Sequence, residues 1–178
     1  GDAITTANNN TAVGYGSLSA NQTGAQNVAV GVSSLLVATG SDNTAVGYDA
    51  GQAVTTGANN TFLGGQAGAN ATSGSNNTAV GIFAMANGTV TGGQNTVVGY
   101  AAGYSLTSGS NNLYLGRDAG RSGSPGGQAT TGSNKIGLGD ENIIAASIQV
   151  DWTVASDARD KTDFADLDLG LDFVKALE

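Results

Sequence analysis

The chain has 178 residues, a net charge of -8, 29 glycines, one proline and neither cysteine nor histidine. The missing residue types exclude Ser-His-Asp triads, thiol nucleophiles, disulfides, and histidine or thiolate metal ligands. The acidic balance argues against a nucleic-acid partner, and no apolar run reaches the roughly 20 residues of a membrane-spanning helix. We expect no cofactor, no metal and no membrane insertion.

A five-residue pattern, Asn-x-x-(Val/Leu)-Gly, recurs along most of the chain. Successive repeat glycines are 17, 16, 17, 17, 18 and 17 residues apart, and a degenerate copy ends at Gly139 after a step of 23 that contains Pro125. The repeat positions are Asn10 and Gly14, Asn27 and Gly31, Asn43 and Gly47, Asn60 and Gly64, Asn77 and Gly81, Asn95 and Gly99, and Asn112 and Gly116. Such self-similarity predicts a repeat architecture.

Each repeat starts with a short strand and continues into a small polar segment of turn-forming residues. Alternation places Thr44, Val46 and Tyr48 on one strand face, and Ala45 and Gly47 on the other. Because the period is too short for two helices, we predict an all-β fold, a parallel β-solenoid or β-roll with coils about 4.8 Å apart. A disordered linker is the alternative, and the regular Val-Gly register argues against it.

The repeated residue types have expected roles in such a solenoid. Glycine lets neighbouring backbones approach closely, and asparagine side chains stack into a ladder that joins coil to coil. A core of such small side chains must still offset roughly 1–2 kcal/mol of backbone entropy per residue. We therefore expect self-association, with the Ala/Gly face of each strand packing identical subunits about an axis.

Two side-chain columns suggest surface chemistry. Tyr15, Tyr48 and Tyr100 each follow a repeat glycine and could stack on sugars, although a packed strand face is the favoured interpretation. Thr11, Thr44, Thr61, Thr78 and Thr96 stand in register, as in ice-binding solenoids, but Val28 and Leu113 interrupt them.

The C-terminal part differs in charge from the repeats. Residues 1–139 carry four acids and three bases, whereas residues 140–178 carry ten acids and three bases. We predict a repeat domain over 1–139, a connector over 140–155 and a separate segment over 156–178. In that segment Phe164, Leu167, Leu171 and Val174 predict a short helix, which is either a contact surface or a plain amphipathic helix. The aspartates from Asp157 to Asp166 lack an EF-hand pattern and indicate a solvated face.

The repeats resemble two groups of proteins. One is the head of trimeric bacterial autotransporter adhesins, where each of three subunits forms a left-handed parallel β-roll, and the other is the shaft of phage tail fibres. The C-terminal sequence favours the second, because Ser156–Phe164 resembles the opening of the endosialidase-type intramolecular chaperone of phage tail fibres and tailspikes. Ser156, Asp157, Arg159 and Lys161 match that motif, and Phe164 replaces the usual Ile or Val.

This resemblance implies a homotrimer that the chaperone assembles before cutting itself off. It implies Ser156 as the self-cleavage residue with the cut before Asp157, and Arg159 and Lys161 as motif positions. Because 22 residues follow Ser156, we expect a chaperone stub that stays uncleaved.

The sequence thus predicts a structural and receptor-binding segment of a phage tail fibre, located in the virion. Its expected partners are itself, other fibre parts and a host surface receptor such as a glycan. Apart from autoproteolysis it is not expected to be an enzyme, because the repeats hold too few acids for the paired carboxylates of a glycan depolymerase. The alternative is an adhesin head on the bacterial outer surface.

Overall fold

The structure is a computed structural model that describes residues 6–124 and 127–144. The chain divides into two compact units, Gly1–Ile143 and Ile144–Glu178, and the described residues belong to the first apart from Ile144. Pro125, the predicted C-terminal helix and the motif Ser156–Lys161 lie outside the described residues.

Within the described residues, eight short strands form a single parallel sheet whose spatial order follows the chain. Equivalent residues of successive repeats pair directly, as with Ala29 and Ala45. The strands are β1 (Thr11–Val13), β2 (Val28–Val30), β3 (Thr44–Val46), β4 (Thr61–Leu63), β5 (Thr78–Val80), β6 (Thr96–Val98), β7 (Leu113–Leu115) and β8 (Ile136–Leu138). Each strand opens one coil, numbered as the strand. The predicted parallel β-solenoid is confirmed, and the part of the chain that the structure describes contains no helix.

Coils are also joined on the side away from the sheet. The backbone N–H groups of Thr39 and Thr55 each donate to the carbonyl of the equivalent residue one coil on, Thr55 and Thr72, at 2.8 Å. The Thr39 hydroxyl donates to the same Thr55 carbonyl at 3.0 Å. The side chain of Thr39 therefore adds a hydrogen bond to the backbone ladder that runs through Thr39, Thr55 and Thr72.

The core is thin and lies between the sheet and the backbone ladder on the opposite side of the solenoid. From β2 onward the middle residue of each strand is buried, and Ala29, Ala45 and Ala79 have no exposed surface. The predicted division of strand faces is thus correct, but the predicted use of the alanine face is wrong. These alanines fill the interior of their own solenoid and cannot pack against another subunit.

Two of the core positions complement each other in side-chain size, the middle of the strand and the fourth residue after the repeat glycine. Phe62 and Tyr114 are the large strand residues, and Gly68 and Gly120 stand at the second position of their coils. A Cβ at Gly68 would meet the Phe62 ring at under 3.0 Å. Where the strand residue is alanine, the second position holds Leu35 or Met85 in coils 2 and 5. Coils 1, 2 and 4–7 therefore fill this part of the section from one side or the other, whereas Gly51 of coil 3 faces Phe62 and Gly137 of coil 8 faces Tyr114 of the neighbouring coil.

Two columns of glycine, one residue of each column per coil, let the backbones of successive coils come into direct contact. A Cβ added at either column would come within 3.0 Å of backbone atoms of the equivalent glycine in the next coil. The repeat glycines also adopt left-handed backbone angles, such as φ +139° at Gly47, which other residues rarely take. The columns run from Gly14 to Gly99 through the repeat glycines, and through Gly24, Gly40, Gly57, Gly74, Gly92 and Gly109.

The repeat asparagines form the predicted ladder, and it lies inside the solenoid. The Asn60 Oδ1 accepts from the Asn77 backbone N–H at 2.9 Å, and its Nδ2 donates to the Gly74 carbonyl at 2.9 Å. The ladder residues from Asn27 to Asn112 are at most 2% exposed. Each amide thus bonds its own coil to two backbone groups of the next, and one of those groups belongs to the second glycine column.

The residue before each ladder asparagine turns the chain into the strand. Asn59, Asn76 and Asn111 occupy this position with φ between 56° and 60°, and Asp42, Gln26 and Gln94 do so in other coils. Asparagine and aspartate tolerate the left-handed region better than other residues with side chains. The Asn-Asn pairs of the sequence therefore divide two tasks, a backbone turn and a buried hydrogen-bond ladder.

We predict that Asn77→Ala destabilises the solenoid by on the order of 3 kcal/mol. The change leaves the Gly92 carbonyl and the Asn95 backbone N–H buried without their partner. Urea unfolding of the variant measures the loss. The control is Asn76→Gly, at the exposed left-handed neighbour, where glycine fits the backbone and should change stability by less than about 1 kcal/mol through the entropy of the unfolded chain. Equal losses in both variants would contradict an interior ladder.

Phe62→Ala should cost about 3–5 kcal/mol, because a buried ring is replaced by a cavity. Adding Gly68→Leu to that variant should restore part of the loss, since it recreates the alanine–leucine arrangement of Ala29 and Leu35, where leucine adopts φ 46°. Gly68→Leu alone should be strongly destabilising, because the Phe62 ring occupies the space. Thermal unfolding of the three variants checks the sign of the coupling, and additive effects would contradict it.

Candidate functional site

The sheet presents an apolar surface to the outside of the solenoid. The third residue of every strand is Val or Leu, and Val13, Val46 and Val98 are 57%, 39% and 37% exposed. Beside this column, the residue after the repeat glycine adds larger side chains in most coils. We call the two columns the outer sheet face; it comprises Val13, Val30, Val46, Leu63, Val80, Val98, Leu115 and Leu138, and Tyr15, Val32, Tyr48, Ile82 and Tyr100.

The tyrosines of this face are not packed against their own chain. Tyr15, Tyr48 and Tyr100 are 85%, 59% and 48% exposed, so the prediction that they belong to a packed strand face is wrong for the single chain. Alternation points them outward with the Val column, away from the thin core. A hydrogen bond with the neighbouring Asp49 carboxylate raises the pKa of Tyr48. These rings are thus available for contact with another molecule.

The outward threonines line the other edge of the same sheet surface. Thr44, Thr61, Thr78 and Thr96 pair in register through four consecutive coils. Val28, Leu113 and Ile136 occupy the same position in coils 2, 7 and 8. The column therefore begins with Thr11, is interrupted at Val28, and is apolar at its C-terminal end.

Charge is concentrated at coil 7. Of the charged side chains in residues 6–124 and 127–144, only Asp42 and Asp49 lie outside 117–141. The Asp118 Oδ1 is 2.6 Å from Nη1 of Arg121, and its Oδ2 is 3.1 Å from Nε of Arg117. The hydrogen bond with Asp118 raises the pKa of Arg121. We call these three residues the charged corner.

Aromatic side chains from coils 5 and 6 lie against the charged corner. The Phe83 and Tyr100 rings meet edge to face, with centroids 6.0 Å apart and planes at 88°. The Arg121 guanidinium carbon lies 5.0 Å from the centroid of the Tyr104 ring. Tyr104 and Arg121 occupy the same position in successive coils, the fifth residue after the repeat glycine, so coil stacking brings them together.

Two adjoining recesses flank Arg121. One has a volume of about 180 Å³ and is lined by Phe83, Tyr100, Ala101, Tyr104 and Arg121. The other, of about 260 Å³, is lined by Asp118, Arg121, Ser122 and Glu141. Nearby, the Asn142 backbone N–H donates to the Asp140 carboxylate at 2.9 Å and lowers the pKa of that group. The hydrogen bond keeps Asp140 ionised, which disfavours it as a proton donor.

The structure describes some of the predicted site residues and not others. Ser156, Asp157, Arg159 and Lys161 lie outside the described residues, and their chaperone assignment stays a prediction. The repeat asparagines and glycines are structural, since they are buried in the ladder or placed in the close backbone contacts. The sequence analysis missed the recess at Arg121, although the long step after coil 7 and the clustered charges pointed to that place.

Comparison with known protein families, with curated proteins and with solved structures gives no match to this chain. In the described part of the chain there is no helix long and apolar enough to cross a membrane. The same residues contain no group of three or more acidic side chains placed to hold a metal ion.

Proposed function

We propose that the chain is a structural and receptor-binding segment of a phage tail fibre and works as a homotrimer. The observation that supports this is the outer sheet face. Its uncharged column of Val and Leu extends through all eight coils, and the column of Tyr, Val and Ile beside it is interrupted at Gly65 and ends at Tyr100, before Arg117. Soluble monomers rarely expose contiguous apolar patches larger than a few hundred Å². Covering this face with identical copies removes that surface from water.

The repetition of the face favours copies of the same chain as its cover. An apolar strip with one side chain per coil matches a partner with the same coil spacing, and a parallel copy has that spacing by definition. The number three comes from the resemblance of the repeats to adhesin heads and tail-fibre shafts. The sequence motif Ser156–Lys161 supports assembly with the help of a self-cleaving chaperone.

A stacked solenoid of this kind suits a rigid spacer that carries binding surfaces. Two backbone ladders and a buried asparagine ladder join every coil to the next. A trimer would show each surface feature three times, which suits weak multivalent attachment to a host receptor. The other partners in this proposal are neighbouring parts of the fibre. The repeats alone are equally suited to a bacterial adhesin head, which remains the alternative.

Val80→Lys, at a middle coil of the outer sheet face, should convert the trimer into monomers, because it places charges against apolar side chains of the other copies. Light scattering should then give one chain mass of 17.4 kDa instead of three. The control is Ser73→Lys, at an exposed position on the side of the coil away from the sheet, which should leave the trimer intact. A monomeric unmodified chain would contradict the proposal.

Self-cleavage is tested in a form of the protein that continues into a complete chaperone domain. We expect a mature product ending at Ser156, and an uncleaved product from Ser156→Ala, both read by intact-mass spectrometry. Ser122→Ala, at an exposed serine of the solenoid, serves as the control and should be cleaved normally. Identical products from all three forms would remove the assignment of Ser156.

A further inference from the structure

We propose that the recess between Phe83, Tyr100, Tyr104 and Arg121 binds one uncharged pyranose ring of a surface glycan. This inference rests on the proposed function, because it gives the receptor a chemical class and a place on the chain. Three of the four side chains lie on the turns that follow the strands. Of the four, Tyr100 also belongs to the outer sheet face, so the recess lies at the edge of that face and its other three walls lie outside the surface that other copies would cover.

The aromatic walls suit the apolar side of a sugar. The edge-to-face pair of Phe83 and Tyr100 presents two perpendicular ring surfaces, and Tyr104 adds a third ring held under the Arg121 guanidinium. A pyranose is a puckered ring with axial C–H groups, which pack on aromatic faces. A flat base would be better served by two parallel rings, and the perpendicular pair does not provide them.

The polar wall suits the hydroxyl groups of the same ligand. Arg121 still has N–H donors beyond the one it gives to Asp118, and each Asp118 oxygen has a further lone pair beyond its arginine contact. Vicinal hydroxyls of a sugar both donate and accept, so they can bond to the guanidinium and the carboxylate together. The hydroxyls of Tyr100 and Tyr104 add two groups that donate and accept.

The charge of the site favours an uncharged ligand. Arg121 is paired with Asp118 at 2.6 Å, Arg117 shares the same carboxylate, and Glu141 lines the adjoining recess, so two arginines and two carboxylates balance in charge. An anionic sugar would have to compete with the Asp118 carboxylate for the guanidinium, which is unfavourable. A cationic ligand would meet Arg121 at the boundary of both recesses.

The sizes of the recesses indicate a short stretch of glycan. A volume of about 180 Å³ is below the 300–1,000 Å³ of pockets for drug-sized ligands, and it suits one ring. The neighbouring recess of about 260 Å³ shares Arg121 and has room for a second sugar. The geometry therefore points to two linked sugars with Arg121 between them.

The same arrangement does not recur in the other coils. Gln52 stands at the repeat position of Tyr104 and Arg121, and its Nε2 donates to Asp49 Oδ1 at 3.0 Å as Arg121 does to Asp118. Tyr104 belongs to the coil before Arg121, and the equivalent position before Gln52, in coil 2, holds Leu36 and no aromatic side chain. The amide thus reproduces the local hydrogen bond without the recess, and Gln52 is a matched control.

The experiment is saturation-transfer NMR on the protein with methyl pyranosides of glucose, galactose, mannose, rhamnose and N-acetylglucosamine. The methyl glycoside of N-acetylneuraminic acid serves as the anionic comparison. We expect signal transfer to at least one uncharged pyranoside, and at least a tenfold weaker affinity for Tyr104→Ala and for Arg121→Ala. Gln52→Ala should bind as the unmodified protein does.

Other outcomes would overturn the site. These are no transfer to any uncharged pyranoside, transfer to the anionic sugar alone, or equal weakening by Gln52→Ala and Arg121→Ala. Light scattering and thermal unfolding of each variant show whether assembly and folding are intact. A trimer that binds none of the sugars overturns the glycan site alone, whereas a monomer that binds them contradicts the proposed assembly and leaves the site.

Discussion

Backbone contact between successive coils at the two glycine columns is the constraint on which the rest of the structure depends. The glycines of the first column directly follow the strands, and those of the second column lie three residues before the ladder asparagines. A Cβ added in either column would collide with the backbone of the next coil. Contact at both columns fixes the distance between coils at both ends of the strand. The asparagine amides can then span to the next coil, and the strands pair in unbroken register.

This close stacking also explains what lies inside and outside. A coil of about 17 residues with two such contacts encloses a thin interior, so a large side chain at one of the two complementary core positions stands opposite a glycine or an alanine at the other. The branched aliphatic residues and tyrosines that a thicker core would bury are instead on the outer sheet face. Exposure of that face makes assembly with identical copies the central part of the proposed function.

Features that repeat along the chain were predictable from the sequence, whereas which side chains are buried and which are exposed was not. The strands, their register, the two faces and the asparagine ladder follow from a repeat that places one residue type at one position. Alternation separates Ala45 from Val46, but it does not say which of the two faces inward. The sequence analysis placed the alanine face against other subunits, whereas the structure places it in the interior of the same chain. The second glycine column was hidden because Gly57 and Gly74 stand among other turn-forming residues.

The recess at Arg121 was harder to predict because its parts come from three coils. Phe83, Tyr100 and Arg121 are distant in the chain and meet only through stacking. Aligning the repeats shows Tyr104 directly before Arg121 in one column, a signal that needs the correct register first. The chaperone motif at Ser156–Lys161 is the opposite case, since it is legible in the sequence and lies outside the described residues.

Residue-resolved amide hydrogen exchange tests the account most directly. The backbone N–H groups of the ladder asparagines from Asn27 to Asn112 donate to the side chain of the preceding asparagine in the interior. They should therefore exchange only with global unfolding, as slowly as the strand amides. Exchange of these amides at the rates of an unstructured chain would contradict the stacked solenoid.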